Sequence, residues 1–281
     1  MSERQGFIDD NRALLALAGA DAREVLQGVV TNDIGKLKPD AAVYAALLTP
    51  QGKYLSDFFL IDGGDGVVLI DAPADHGPTL SQKLKMYCLR RDAQIFPQPR
   101  LSVACVWPDM PEVMGPGLTA VPDPRVPALG WRLYGTDRQA LEEALGQPGS
   151  RSDYDRLRVA NLVPEGGVEL VPDETYILEA GFERLRGVDF KKGCYVGQEV
   201  TARMKHKTAL RKGLVRVDVQ GEAEAGSPIV ANGKPAGTLF TVSDGRGLAH
   251  LRLDRAGPGM QAGTATVDYV PQDQSTEGSE P

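Results

Sequence analysis

The sequence predicts an α+β body closed by a small antiparallel β-barrel, and three observations carry this. Short apolar runs joined by tight turns form a β-meander between Ala42 and Ile70, amphipathic helices are inserted around it, and beyond about Thr208 short alternating strands with Gly-centred turns take over. At 281 residues the chain is long for one core and suits two or three subdomains. The expected division is a body over 1–207 with a seam at 108–127, a barrel over 208–270, and a disordered tail over 271–281 that lacks apolar residues from Gln272 onward.

Leu14-Leu15-Ala16-Leu17 reads as a short strand, and Asp21 with Glu24 has the spacing of a capping box opening a helix. Ala22, Val25, Leu26 and Val29 fall on one face of that helix, which ends at Thr31-Asn32-Asp33. Ala42 to Leu48 and Tyr54 to Ile61 read as strands joined across Pro50-Gln51-Gly52, and Val67 to Ile70 is a third. A helix from about Thr79 to Arg90 aligns Leu80, Leu84, Tyr87 and Cys88 on one stripe. Leu101 to Trp107 alternates as a strand, so Cys88 and Cys105 are expected to pack as small hydrophobes. Pro108 to Pro127 is a loop or seam; Thr136 to Leu145 and Ser152 to Asn161 are helices, the second with Ser152 as its cap. In the last part Leu214 to Val219 and Thr264 to Val270 alternate, and Ala231-Asn232-Gly233-Lys234 and Ser243 to Gly247 are turns.

Composition narrows the function classes. Met1 to Arg12 is polar and acidic, unlike a signal peptide, and no run approaches the ~18 apolar residues of a membrane span. Three widely spaced cysteines argue against a disulfide framework, and His76, His206 and His250 show no zinc spacing. A net charge of −7 argues against nucleic-acid binding by the surface at large, so neither nucleic acid nor membrane is an expected partner. Cations nevertheless crowd Glu183 to Arg216, where only Glu183, Asp189 and Glu199 are acidic. That stretch is either a local site for an anion or a solvated basic face.

Within it lies Lys191-Lys192-Gly193-Cys194-Tyr195-Val196-Gly197-Gln198-Glu199. Two glycines bracket Cys194 and allow a tight turn that presents the thiol. Lys191, Lys192 and Arg203 favour the thiolate, the form that acts as nucleophile and metal ligand, and a helix opening at Gln198 would push the same way. The alternative is a glycine turn burying a small residue. One thiolate cannot hold an iron–sulfur cluster, which takes about four ligands; His206 is expected to be exposed.

The run Lys192 to Glu199 resembles the signature K-G-C-Y-x-G-Q-E of the YgfZ family, which includes mitochondrial iron–sulfur assembly factors and is related to the glycine cleavage T-protein, an aminomethyltransferase. Gly19 to Ala22, Leu26-Gln27-Gly28 and Thr31-Asn32-Asp33 resemble the superfamily's N-terminal pattern. Leu47 to Lys53 with Asp57, and Tyr154 to Arg158 with Val163 to Gly166, resemble its next blocks. Leu178 to Phe182 and Gly187 to Phe190 are closer to the mitochondrial-type branch.

The resemblance implies a T-protein-like body with a central folate channel, and a tetrahydrofolate-dependent accessory role in maturing [4Fe–4S] enzymes, tRNA-thiolating radical enzymes among them. It makes Cys194 the functional thiol and a metal ligand shared with a partner. It places Glu179, Lys192, Gly193, Tyr195, Gly197, Gln198, Glu199 and Arg203 on the cofactor side. Expected partners are folate and an iron–sulfur carrier or client enzyme. The compartment would be bacterial cytoplasm, the preferred setting, or the mitochondrial matrix. The aminomethyltransferases carry Leu-Arg-Leu-Glu where this chain has Leu157-Arg158-Val159-Ala160, so Glu179 is the candidate for the missing pterin carboxylate. Asp71 is the one candidate for their catalytic aspartate, set against an ordinary turn or cap role. A folate-dependent one-carbon transferase is thus the weaker alternative, and a scaffold using no folate a third.

Overall fold

Residues Val43–Leu48 offer no polar position, and the reason is burial on both faces. The computed structural model describes residues 3–111, 114–206 and 210–270. Strands β1 (Gln5–Ile8), β2 (Arg12–Ala18), β3 (Val43–Leu48), β4 (Tyr54–Asp62), β5 (Val68–Pro73), β6 (Gln94–Pro97), β7 (Ser102–Trp107), β8 (Thr119–Pro122), β9 (Trp131–Gly135) and β10 (Gln147–Pro148) build two five-stranded sheets. The first runs β3-β4-β5-β2-β6 and is antiparallel throughout; the second runs β10-β1-β7-β9-β8, with only β1 and β10 parallel. Val43, Ala45 and Leu47 face helices α1 (Ala22–Val29) and α2 (Gly77–Tyr87), whereas Tyr44, Ala46 and Leu48 face the second sheet. Val103, Cys105, Trp107 and Tyr134 meet them there, and helix α3 (Arg138–Ala144) covers the outer side of the second sheet.

Between the sheets lie buried charges. Asp71 is interior to β5 and wholly buried, where the sequence offered a turn or cap role. Arg12 Nε donates to its Oδ1 at 2.6 Å, while Arg132 Nη2 and Tyr134 Oη donate to its Oδ2 at 2.7 and 2.8 Å. Burial alone would raise the carboxyl; Arg12 and Arg132 outweigh it and hold Asp71 below the usual range.

Several local expectations change. Asp21 stands at the helix N-cap but makes no cap bond with its side chain, which accepts instead from the Asp92 N–H at 2.9 Å. Helix α2 spans Gly77–Tyr87, not Thr79 to Arg90; Leu80 and Leu84 are buried, but Tyr87 is exposed and Cys88 only half-buried at the helix end. The Pro-rich seam contains a strand, β8, paired with β9, which the sequence reading missed; Pro122 closes it, and Pro116 and Pro124 flank it. Helix α4 (Arg151–Ala160) opens at Arg151, and its cap is Ser150, two residues before Ser152, in a capping box with Asp153.

Strands β11 (Lys212–Gln220), β12 (Pro228–Ala231), β13 (Lys234–Ser243), β14 (Arg246–Arg252), β15 (Met260–Ala262) and β16 (Ala265–Asp268) close into a barrel ordered β11-β14-β13-β12-β15-β16. Asn232-Gly233 and Asp244-Gly245, all at positive φ, make two of its two-residue hairpins. The barrel is stapled to the body by Arg158 of α4. Its Nη1 donates to Val163 O at 3.0 Å and Glu169 Oε2 at 3.3 Å, and Glu169 Oε1 accepts from the Thr241 hydroxyl on β13 at 2.6 Å. The expected tail over 271–281 lies outside the described residues, as does Thr208, the first residue expected of the barrel.

Candidate functional site

The Cys194 loop is held by residues that the sequence places more than 150 positions away. Thr31 and Asn32, both buried, follow α1. The Thr31 hydroxyl donates to Gly187 O at 2.6 Å and accepts from the Ala46 N–H at 2.9 Å. Asn32 Nδ2 donates to Arg186 O at 2.6 Å and Tyr44 O at 2.8 Å, and the Asp189 N–H donates to Thr31 O at 3.0 Å. Lys36 pairs with Asp189 at 2.7 Å and holds its carboxyl below the usual range. The Thr31-Asn32-Asp33 motif and the Cys194 loop are therefore one structural unit.

Lys192 continues the clamp. Its Nζ donates to Gln27 O at 2.8 Å, Val30 O at 2.5 Å and Asn32 O at 3.0 Å, capping the carbonyl end of α1. Burial lowers this amine to about 8. Its donors are thus engaged beneath the loop, and no sequence signal distinguished this lysine from its neighbour Lys191, which is exposed. Tyr195 packs into the core, its hydroxyl pushed up to about 12 by burial and without a hydrogen bond of normal geometry among the described residues, although Thr201 lies beside it.

Of the two bracketing glycines, only Gly197 is conformationally required. It adopts φ +82°, and a Cβ there would sit 2.6 Å from Thr49 O. Gly52, in the β3–β4 turn at φ +75°, would meet Val200 Cβ at 2.8 Å in return, so turn and loop touch through glycines on both sides. A Cβ on Gly193 meets nothing within 4 Å, so the tight turn comes from Gly197 and not from both. Gly197 caps helix α5 (Gln198–Lys205), with Glu199 and Arg203 exposed on it. Cys194 is exposed, whereas Cys105 is buried with its thiol pushed up to about 11. His206 is exposed.

Glu179 lies apart from the loop, its Oε2 3.2 Å from Nε2 of His250 on β14, at the body–barrel junction. The Ala160 carbonyl accepts from Arg216 at 2.5 Å. None of Glu179, Lys192, Gly193, Tyr195, Gly197, Gln198, Glu199 and Arg203 lines either of the two cavities described. One of these, of about 430 Å³, borders the clamp and is walled by Tyr44, Pro122 and Pro124 with Lys36, Glu183 and Arg186 at its polar side. The sequence reading did not single out this constellation, because its members come from four separate segments. Among the described residues no three His, Cys, Asp or Glu side chains gather to hold a metal.

Residues 211–276 match the family described as CAF17, C-terminal beta-barrel domain. The mouse protein named iron-sulfur cluster assembly factor IBA57, mitochondrial, is 34% identical over 256 residues, covering 83% of this chain and 70% of the relative. Its human counterpart is 31% identical over 272 residues, covering 89% and 75%. The crystal structure of glycine cleavage system aminomethyltransferase T from Bartonella henselae superposes with a TM-score of 0.75 over 94% of this chain and 84% of that one. At 15% identity that likeness is one of fold alone. The identities and coverage of the mouse and human proteins place the chain in the IBA57 family of iron–sulfur cluster assembly factors.

Proposed function

We propose that this protein assists assembly or repair of [4Fe–4S] clusters in client enzymes, offering the Cys194 thiolate as one ligand to a cluster shared briefly with a partner. The observation that carries this is the placement of the thiol: Cys194 is the exposed one of three cysteines, on a loop clamped to the body at Arg186–Lys192 and at Gly197. A cluster takes about four ligands, so a single thiolate suits a set that another chain completes. The cluster is cargo here. The relatives' names support an iron–sulfur carrier or client as partner. Those names also favour the mitochondrial of the two expected compartments and lend the bacterial preference no support.

Tetrahydrofolate is the second part of the proposal. The cavity of about 430 Å³ suits such a ligand in size and chemistry. Pro122 and Pro124 give apolar walls, Glu183, whose other oxygen accepts from Lys205, offers an acceptor for ring N–H groups, and Arg186, beside the Lys36–Asp189 pair, supplies a cation for a glutamate carboxylate. The folate side of the proposal therefore moves from Glu179 and the signature loop to these residues. A bound folate would supply one-carbon or redox chemistry; this chain's residues would orient it beside the clamp.

The test is complementation of cells lacking the protein with Cys194→Ser and Cys194→Ala, reading [4Fe–4S] enzyme activity. Loss of activity with unchanged abundance is expected, and full rescue by either variant would retire the thiol's role. Calorimetry with tetrahydrofolate, comparing Arg186→Glu with wild type, tests the ligand separately.

A further inference from the structure

The largest cavity described lies away from the Cys194 loop, where β6 parts from β2. β6 pairs with β2 only over Leu15–Ala18, after which the Gln98 N–H donates to Leu14 O at 2.8 Å and the chain leaves through a Pro-Gln-Pro turn. The stretch Arg12–Leu14 is left with one edge beyond that pairing. Helix α2 overhangs it closely: a Cβ on Gly77 would stand 2.5 Å from Ala13 Cβ. The result is a groove of about 660 Å³, within the ~300–1,000 Å³ typical of small-molecule sites.

Its walls are apolar, with Leu14, Pro78, Pro99 and Leu101 among them, and two cations border it. Arg12 has a side chain only 7% exposed; Nε and Nη2 are committed to Asp71, and Nη1 has no hydrogen-bond partner among the described residues. Lys85, on α2, is exposed and has no ion pair among the described residues. Asp71 is shared between Arg12 and Arg132, while Asp9 and Asp57 lie within electrostatic reach of Arg12. The groove therefore favours one acidic head, not a polyanion.

We propose that this groove binds an amphipathic monoanion: a small molecule with an apolar chain or ring between α2 and the Pro-Gln-Pro turn, and a single carboxylate or sulfonate facing Lys85 and Arg12. Strand β2, helix α2 and the Pro-Gln-Pro turn each contribute to its wall, which suits a single small molecule. The site is independent of the reading given to Cys194.

The experiment uses the full 281-residue chain, titrated calorimetrically with monomeric dodecanoate and, in parallel, with 1-anilinonaphthalene-8-sulfonate by fluorescence. One saturable site is expected, with dodecanoate displacing the dye. Ser81→Trp fills the groove and should weaken binding more than about ten-fold, the apolar body being excluded. Gln82→Trp, from the same wall, serves if that variant melts at a lower temperature. Lys85→Glu should weaken binding about five-fold as an exposed charge would. Lys83→Glu, on the same helix but off the groove, and Cys194→Ser should leave it unchanged. Non-saturable uptake, equal weakening by Lys83→Glu, persistence in both filling variants, or binding only to phosphatidylglycerol vesicles would each overturn the proposal.

Discussion

Replacing Thr31 by Val keeps the side chain's volume and removes one hydroxyl, which makes it a direct probe of the clamp. That hydroxyl serves two buried partners at once, Gly187 O at 2.6 Å and the Ala46 N–H at 2.9 Å, and Thr31 itself is fully buried. Water cannot replace it without opening the structure. Leaving a buried donor or acceptor unsatisfied costs about 1–3 kcal/mol, so two such groups at about 1.5 kcal/mol each give a loss of about 3 kcal/mol. For a domain of this size, at roughly 2–4 °C per kcal/mol, the thermal midpoint should fall by about 6–12 °C. The damage should also be local. Asp189 donates its N–H to Thr31 O, so amide exchange at Asp189 and through the Cys194 loop should accelerate more than exchange in the barrel. Circular dichroism melting and hydrogen-exchange mass spectrometry read both effects. A loss under about 1 kcal/mol with unchanged exchange at Asp189 would refute the view that Thr31 ties the loop to the body.

The same loop gives a paired glycine test. Gly197→Ala forces a Cβ to 2.6 Å from Thr49 O at φ +82° and should cost about 2–3 kcal/mol, whereas Gly193→Ala, open to space, should stay within about 0.5 kcal/mol; equal losses in urea unfolding would contradict the assignment. Arg158→Met strands the buried Glu169 carboxylate and should cost about 3–5 kcal/mol, with part of it recovered in Arg158→Met/Glu169→Gln; strict additivity in the double-mutant cycle would show that the two do not form a staple. Lys192, lowered to about 8 in the fold against about 10.4 for a free lysine, binds its proton more weakly folded than unfolded. Stability should thus rise with pH between about 8 and 10, and urea midpoints at pH 7.5 and 9.5 should differ less in Lys192→Met than in wild type; an identical pH response would show that Lys192 does not carry this linkage. Thiol titration of the native protein should find Cys194 fast and Cys105 silent until denaturation, because burial holds the Cys105 thiol near 11; rapid reaction of two thiols would place Cys105 or Cys88 at the surface.

The sequence by itself determined the elements whose patterns are local. The one-sided apolar stripe of Ala22, Val25, Leu26 and Val29, the alternation of Leu214 to Val219, and the Asn232-Gly233 and Asp244-Gly245 turns each follow from a few adjacent residues, and the barrel follows from them. The signature loop was legible in the same way, as one contiguous run containing a glycine, Gly197, that its conformation requires. The short strand β8 was not, because a four-residue run in a proline-rich stretch acquires strand character only from the neighbour it pairs with. Nor could the sequence say what the loop's residues do. Lys191 and Lys192 are adjacent and chemically alike, yet one is exposed and the other caps α1, a choice made by where Gln27, Val30 and Asn32 place their carbonyls. In the sequence Glu179 and Asp71 stand as carboxylates with no visible counterpart; the tertiary structure sets each beside a residue more than 60 positions away, Glu179 beside His250 and Asp71 in an ion pair with Arg132. Chain sequence sets which chemistry is present; only packing across distant segments decides which charges are neutralised, which donors are spent, and which thiol is left facing water.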